Sequence, residues 1–163
     1  GVAQMSIEAV VSSTLFISSD VTSLSSTSLT TLKNVDALAI DQDALGYIGD
    51  RVSTTACGSS TCEVWAKQLS GTHSCAIAFF NQDSAPHNIS ITWSALNAAI
   101  AGCGTGPYTT TFNVWANWPS SCTSGATSGP LTGVSCKAAL GTLSSGYTAT
   151  VPATGAVLIT VAP

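Results

Sequence analysis

A chain of 163 residues with 45% apolar content is long enough to bury one hydrophobic core, and one domain is the default expectation. Only 7% of the residues are charged, against the usual quarter, and a formal charge of −4 with four Lys or Arg leaves no basic stripe for phosphates, which excludes nucleic acid as a partner. No apolar run approaches the roughly 18 residues of a spanning helix, and the N-terminus lacks the basic start and apolar stretch of a leader, so no membrane insertion is expected.

Residues 2–13 carry Val2, Met5, Ala9 and Val10 at helical spacing, and TLFIS at 14–18 is a short apolar run between polar residues, which predicts a helix and then a buried strand. Ser25 or Ser26 can cap a second helix over roughly 26–33, with Leu29 and Leu32 facing inward and Asn34 near its end. The segment NVDALAIDQDALGYIGD, residues 34–50, holds four of the eight carboxylates, and on an extended segment Asp41 and Asp43 point to one side. After Gly46 the pattern changes to strand-length pieces separated by turn residues: DRVSTT, CEVWAKQL, CAIAFFN, NISITW, YTTTFNVW, YTATV and GAVLITVA. Residues 119–146, crowded with Gly, Ser and Pro, read as long loops. The expectation is therefore a mainly β chain, with an antiparallel Greek-key or sandwich domain over 47–163 behind a short helical segment over 1–46.

Six cysteines in a chain that is more than a quarter Ser and Thr suit an oxidising compartment, so a secreted, extracellular protein is expected. With no CxxC pair and no His at zinc-finger spacing, neither metal nor other cofactor is predicted. Six cysteines allow fifteen connectivities. Cys57 and Cys62 enclose a four-residue hairpin loop and form the firmest pair, Cys122 with Cys136 would clamp the glycine-rich loop, and Cys75 and Cys103 remain. Asn88-Ile89-Ser90 is a glycosylation sequon and agrees with secretion.

The stretch from Gln4 to Gly46, with TLFIS, Asp20-Val21 and AIDQDALG in order, resembles the end of the catalytic barrel in the α-galactosidases of glycoside hydrolase family 27. EVWAKQLSG, AIAFFN, ISITWSAL and YTATVPATGAVLITV resemble the strands of that family's C-terminal antiparallel domain, so the likeness covers nearly the whole chain. Departures are Glu8 in place of a Trp, Thr14 in place of a Pro, and Trp115-Ala116-Asn117-Trp118 in place of Arg-Asp-Leu-Trp. The family's two catalytic aspartates would lie upstream of Gly1, and the resemblance implies that this chain alone is not an enzyme.

The residues agree. A retaining glycosidase needs two carboxyl groups about 5–5.5 Å apart across the scissile bond, whereas Asp41 and Asp43 would share one side, and residues 84–163 contain no Asp or Glu. The Asp-Gln-Asp reads as a connector whose carboxylates accept backbone N–H groups, and no catalytic residue is assigned. His73 and His87, each in a turn setting and without a GxSxG elbow anywhere, read as solvated loop histidines. Trp65 and Trp93 read as core residues of strands, while Trp115 and Trp118, at a strand end, are the candidates for stacking on a sugar ring, Trp115 the better of the two.

Two functions follow. The first is a secreted, non-catalytic interaction protein, lectin-like or immunomodulatory, recognising carbohydrate or a cell-surface glycoprotein, in which a homodimer buries the N-terminal helices. The second is a C-terminal fragment of a family 27 α-galactosidase, inactive without its barrel; a chain that begins at Gly1 rather than Met looks processed or excised.

Overall fold

The computed structural model describes residues 1–71, 74–104, 111–118 and 136–163. Helix α1 spans Val2–Val11, α2 Ser26–Leu32 and α3 Val35–Asp41. The β part follows as β1 Asp50–Cys57, β2 Ser60–Gln68, β3 Cys75–Asn81 and β4 His87–Thr92, then helix α4 Trp93–Ala99, then β5 Thr111–Ala116, β6 Ala138–Ser144, β7 Gly146–Val151 and β8 Ala156–Ala162.

Six strands form one antiparallel sheet in the order β1-β2-β3-β8-β5-β6, and β4 pairs with β7 in a second, two-stranded sheet. The apolar runs CAIAFFN and AVLITVA explain why β3 and β8 are central, since a strand buried on both faces needs apolar residues at every position. One face of the large sheet packs on the small sheet and α4 through Val64, Ile77, Phe79, Ile159 and Val161, with Trp93 and Phe112 in tilted ring contact. The mainly β sandwich with a short helical N-terminal segment is thus as expected.

The opposite face is built to receive helices. Register places Trp65, Ala78 and Leu158 in one cross-strand row and Lys67, Ala76, Thr160 and Trp115 in the next. The small Ala76 and Ala78 leave room for α1, whose Met5, Ala9 and Val10 bury against them together with Ala37 and Ile40 of α3. Gly49 closes the connection from the helices to the sheet: its N–H donates to the Val10 carbonyl at 3.0 Å, and a Cβ there would lie 2.6 Å from that same oxygen.

Five expectations fail locally, each for a physical reason. TLFIS is not a buried strand: residues 14–18 lack strand pairing and Phe16 is 87% exposed, because a parallel strand needs partners on its edges and no described strand pairs with it. Residues 35–41 are helical rather than extended, since the Asn34 carboxamide accepts from the N–H groups of Asp36 and Ala37 and so caps a third helix; Asp41 closes that helix and Asp43 follows it. In α2 the buried side chains are Thr30 and Thr31 rather than Leu29 and Leu32, and their hydroxyls are satisfied by the carbonyls of Ser26 and Thr27. Trp93 starts α4 instead of ending a strand, because the Thr92 hydroxyl accepts from Ala95 N–H and opens a helix there. Finally, Ala138–Ser144, taken for loop, is strand β6, paired to β5 across a register shift between Val114 and Trp115.

Candidate functional site

The acidic segment forms brackets between elements. Asp43 accepts from Ser70 N–H at 2.9 Å, from the Ser70 hydroxyl at 2.7 Å and from Leu45 N–H at 3.1 Å. Partial burial pulls its carboxyl upward, but these bonds and the Lys67 charge bring it below the usual value. Asp36 likewise holds the N–H groups of Cys136 and Lys137, at 2.8 and 3.0 Å. Asp41 differs: burial raises its carboxyl against the opposing pull of Lys67. Lys67 is itself 2% exposed, lowered by burial and partly restored by Asp41 and Asp43, and its Nζ donates to Ser12 Oγ at 2.7 Å. Asp43 therefore fastens the segment after α3 to the turn after β2, as expected of a connector, whereas the buried Oδ1 of Asp41 has no hydrogen-bond partner among the described residues. Among the described residues no three His, Cys, Asp or Glu side chains converge as metal ligands.

His87 is not a solvated loop histidine. It opens β4 half-buried, with Nε2 2.9 Å from Asp83, because Asp83 is the centre of a bracket that also takes the N–H and hydroxyl of Ser59 and the N–H of Ala85. His87 foremost among these bonds holds the Asp83 carboxyl down at about 2. His73 lies outside the described residues. The Cys57–Cys62 disulfide closes the β1–β2 hairpin with Cα atoms 5.6 Å apart, and Cys75–Cys103 ties β3 to the segment after α4 at 5.2 Å. Cys136 is also disulfide-bonded, while Cys122, its expected partner, lies outside the described residues. Asn88 is on the exposed side of β4, where its carboxamide oxygen accepts from Thr150.

The tryptophans separate into three roles. Trp93 is fully buried and donates to the Leu143 carbonyl, and Trp65, half-buried under α1, donates to Glu63. Trp118 packs into the helix-side core and donates to Ser6 Oγ of α1 at 2.8 Å. Trp115 alone borders an open groove of about 310 Å³ between α3 and the β5–β8 pair, with the Lys137 ammonium 4.9 Å from its ring. Asp36, Asp43, Ser74, Asn117 and Thr160 complete the polar lining. Sequence reasoning finds Trp115 but misses Asn117 and Thr160; the one signal for Thr160 is its place as a lone polar residue inside the apolar run AVLITVA.

Two antiparallel sheets packed face to face, with helices α1 and α3 docked on the outer face of the larger one, define a β-sandwich module. Residues 59–161 match the alpha galactosidase C-terminal beta sandwich domain, and the chain belongs to that family. It is 35% identical over 89 residues to the alpha-galactosidase of Coffea arabica, an alignment covering 55% of this chain and 22% of that protein. Against alpha-galactosidase 3 of Arabidopsis thaliana the figures are 33% over 92 residues, 56% and 20%. Among solved structures, the Saccharomyces cerevisiae alpha-galactosidase superposes with a TM-score of 0.76 at 20% identity, over 98% of this chain and 42% of that one. A GH27 β-L-arabinopyranosidase from Geobacillus stearothermophilus gives 0.73 at 16% identity, over 98% and 29%. The chain thus corresponds to the C-terminal part of GH27 enzymes and spans about a fifth of the length of the curated relatives it matches. The residues that the family model matches, 59–161, are the beta sandwich of those enzymes.

Proposed function

We propose that the chain is the C-terminal module of a secreted GH27-type glycosidase, inactive alone, whose N-terminal helices join its β sandwich to a catalytic barrel. The observation that carries this reading is the uncovered apolar segment after α1. Phe16 is 87%, Ile17 53% and Val21 59% exposed, in a segment without strand pairing. Such a surface calls for a partner, and in the resembling enzymes the neighbouring barrel strands are that partner. The disulfides support an oxidising compartment.

A stand-alone interaction protein, dimerised through the same helices, has less support, because the similar proteins are glycosidases matched over their C-terminal parts. The deciding experiment combines the intact mass of the naturally produced protein with the reading frame upstream of Gly1. An in-frame segment long enough for the rest of a barrel is the expected result. A start codon and leader directly before residue 1, with a natural mass equal to the 163-residue chain, would overturn the proposal.

A further inference from the structure

We propose that the groove between α3 and the β5–β8 pair is a binding site for one neutral sugar residue, independent of any catalytic barrel. Two buried polar side chains line it and have no hydrogen-bond partner among the described residues: the Asn117 carboxamide, at both its nitrogen and its oxygen, and the Thr160 hydroxyl. These residues are 0% and 7% exposed. Buried polar groups almost always have partners, and an amide left without either bond is costly. A ligand carrying adjacent hydroxyls can supply a donor and an acceptor to the pair.

The fold explains why both residues are there. Thr160 on β8 stands opposite Trp115 on β5, and Asn117 is anchored by its own backbone, its N–H donating to the Leu158 carbonyl and its carbonyl accepting from Asn34. One row of strand pairing therefore sets an aromatic ring beside a hydroxyl and an amide. An aromatic face for the apolar side of a ring, with amide and hydroxyl for its hydroxyls, is the chemistry that recognises a pyranose. The volume of about 310 Å³ is at the low end of small-molecule sites, which suits one ring.

Charge argues for a neutral ligand. The two carboxylates of the groove are occupied by N–H and O–H donors of Ser70, Leu45, Cys136 and Lys137, which leaves them little capacity for a cation. An anion would meet those same carboxylates, with Lys137 as the one cation of the lining. Lys137 is exposed and covers the Trp115 ring only by a cation–π contact, weak at such a site, so a ring can displace it.

The test is ¹H–¹⁵N spectroscopy and calorimetry of the disulfide-intact 163-residue chain with methyl α-galactopyranoside, methyl β-glucopyranoside and methyl α-mannopyranoside, each titrated separately into the millimolar range. At least one should bind saturably at a single site, shifting the Trp115 indole N–H and the Asn117 side-chain amide. Thr160→Val, which keeps the volume and removes the hydroxyl, should weaken that binding about tenfold, as loss of one buried hydrogen bond does. Trp115→Ala should abolish it. Saturable binding of none of the three, shifts centred away from these two side chains, or unchanged affinity in Thr160→Val would each overturn the proposal, and the wild-type shifts decide it even if a variant fails to fold.

Discussion

Asp83 shows how a single carboxylate can govern an acid limb. Its carboxyl is depressed from 3.8 to about 2, first by His87 and then by the Ala85 and Ser59 bonds, so the stability it contributes is fully present above pH ~4 and is lost as pH falls toward 2. Asp83→Asn should therefore flatten the dependence of the denaturation midpoint on pH between 4 and 2 while lowering the midpoint at neutral pH, a pair of changes readable from denaturant melts across that range. This bracket is not legible in the sequence, where His87 after Pro86 looks like an open turn; it exists because the β1–β2 turn, with Gly58 at a φ of 56°, folds back onto the loop that follows β3. Trp115 is legible as an aromatic residue at a strand end. Its neighbour Thr160 is not, since their pairing joins strands 45 positions apart in the chain.

At the scale of elements, α3 depends on Asn34, which is fully buried, caps the helix and reaches across to the Asn117 carbonyl at 2.9 Å. Asn34→Ala removes the cap and leaves a buried carbonyl short of its donor, so unfolding free energy from denaturant titration should fall by about 2–4 kcal/mol. Asn34→Ser, which keeps the cap but cannot reach Asn117, should recover roughly 1 kcal/mol of that loss. The two described disulfides should also differ. Cys75–Cys103 closes a separation of 28 residues and Cys57–Cys62 one of 5, so chain entropy assigns about 3.5 kcal/mol to the first and about 2 to the second. Paired Cys→Ser variants measured under the same conditions should preserve that order. Strands β3 and β8 are readable from continuous apolar runs between turns, whereas β6 hides because AALGTLS contains a glycine and adjoins a Gly, Ser and Pro-rich stretch. Helices α3 and α4 hide for another reason: each has only seven residues, and its start is set by a capping side chain rather than by a long period.

For the whole molecule, the uncovered apolar surface after α1 decides behaviour in solution. At about 25 cal/mol per Å², covering even a few hundred Å² is worth several kcal/mol, and with 7% charged residues the chain offers little repulsion against association. The isolated chain should therefore self-associate at micromolar concentration, and Phe16→Ser with Ile17→Ser should reduce both sedimentation coefficient and hydrophobic-dye binding while leaving unfolding free energy within about 0.5 kcal/mol, as expected for exposed positions. The family is legible in the sequence through the resemblance of AIDQDALG and the later strands, but the lack of pairing at TLFIS could not be read from five apolar residues alone. The strand order has a consequence for biosynthesis. β8, which follows the other described strands in the chain, is seated between β3 and β5 in the middle of the six-stranded sheet. Until it emerges, β5 and β6 have nothing to join, and β3 presents a bare edge of the kind that recruits foreign strands. The nascent chain thus carries a bare, aggregation-prone edge over the roughly 80 residues of synthesis that separate β3 from β8.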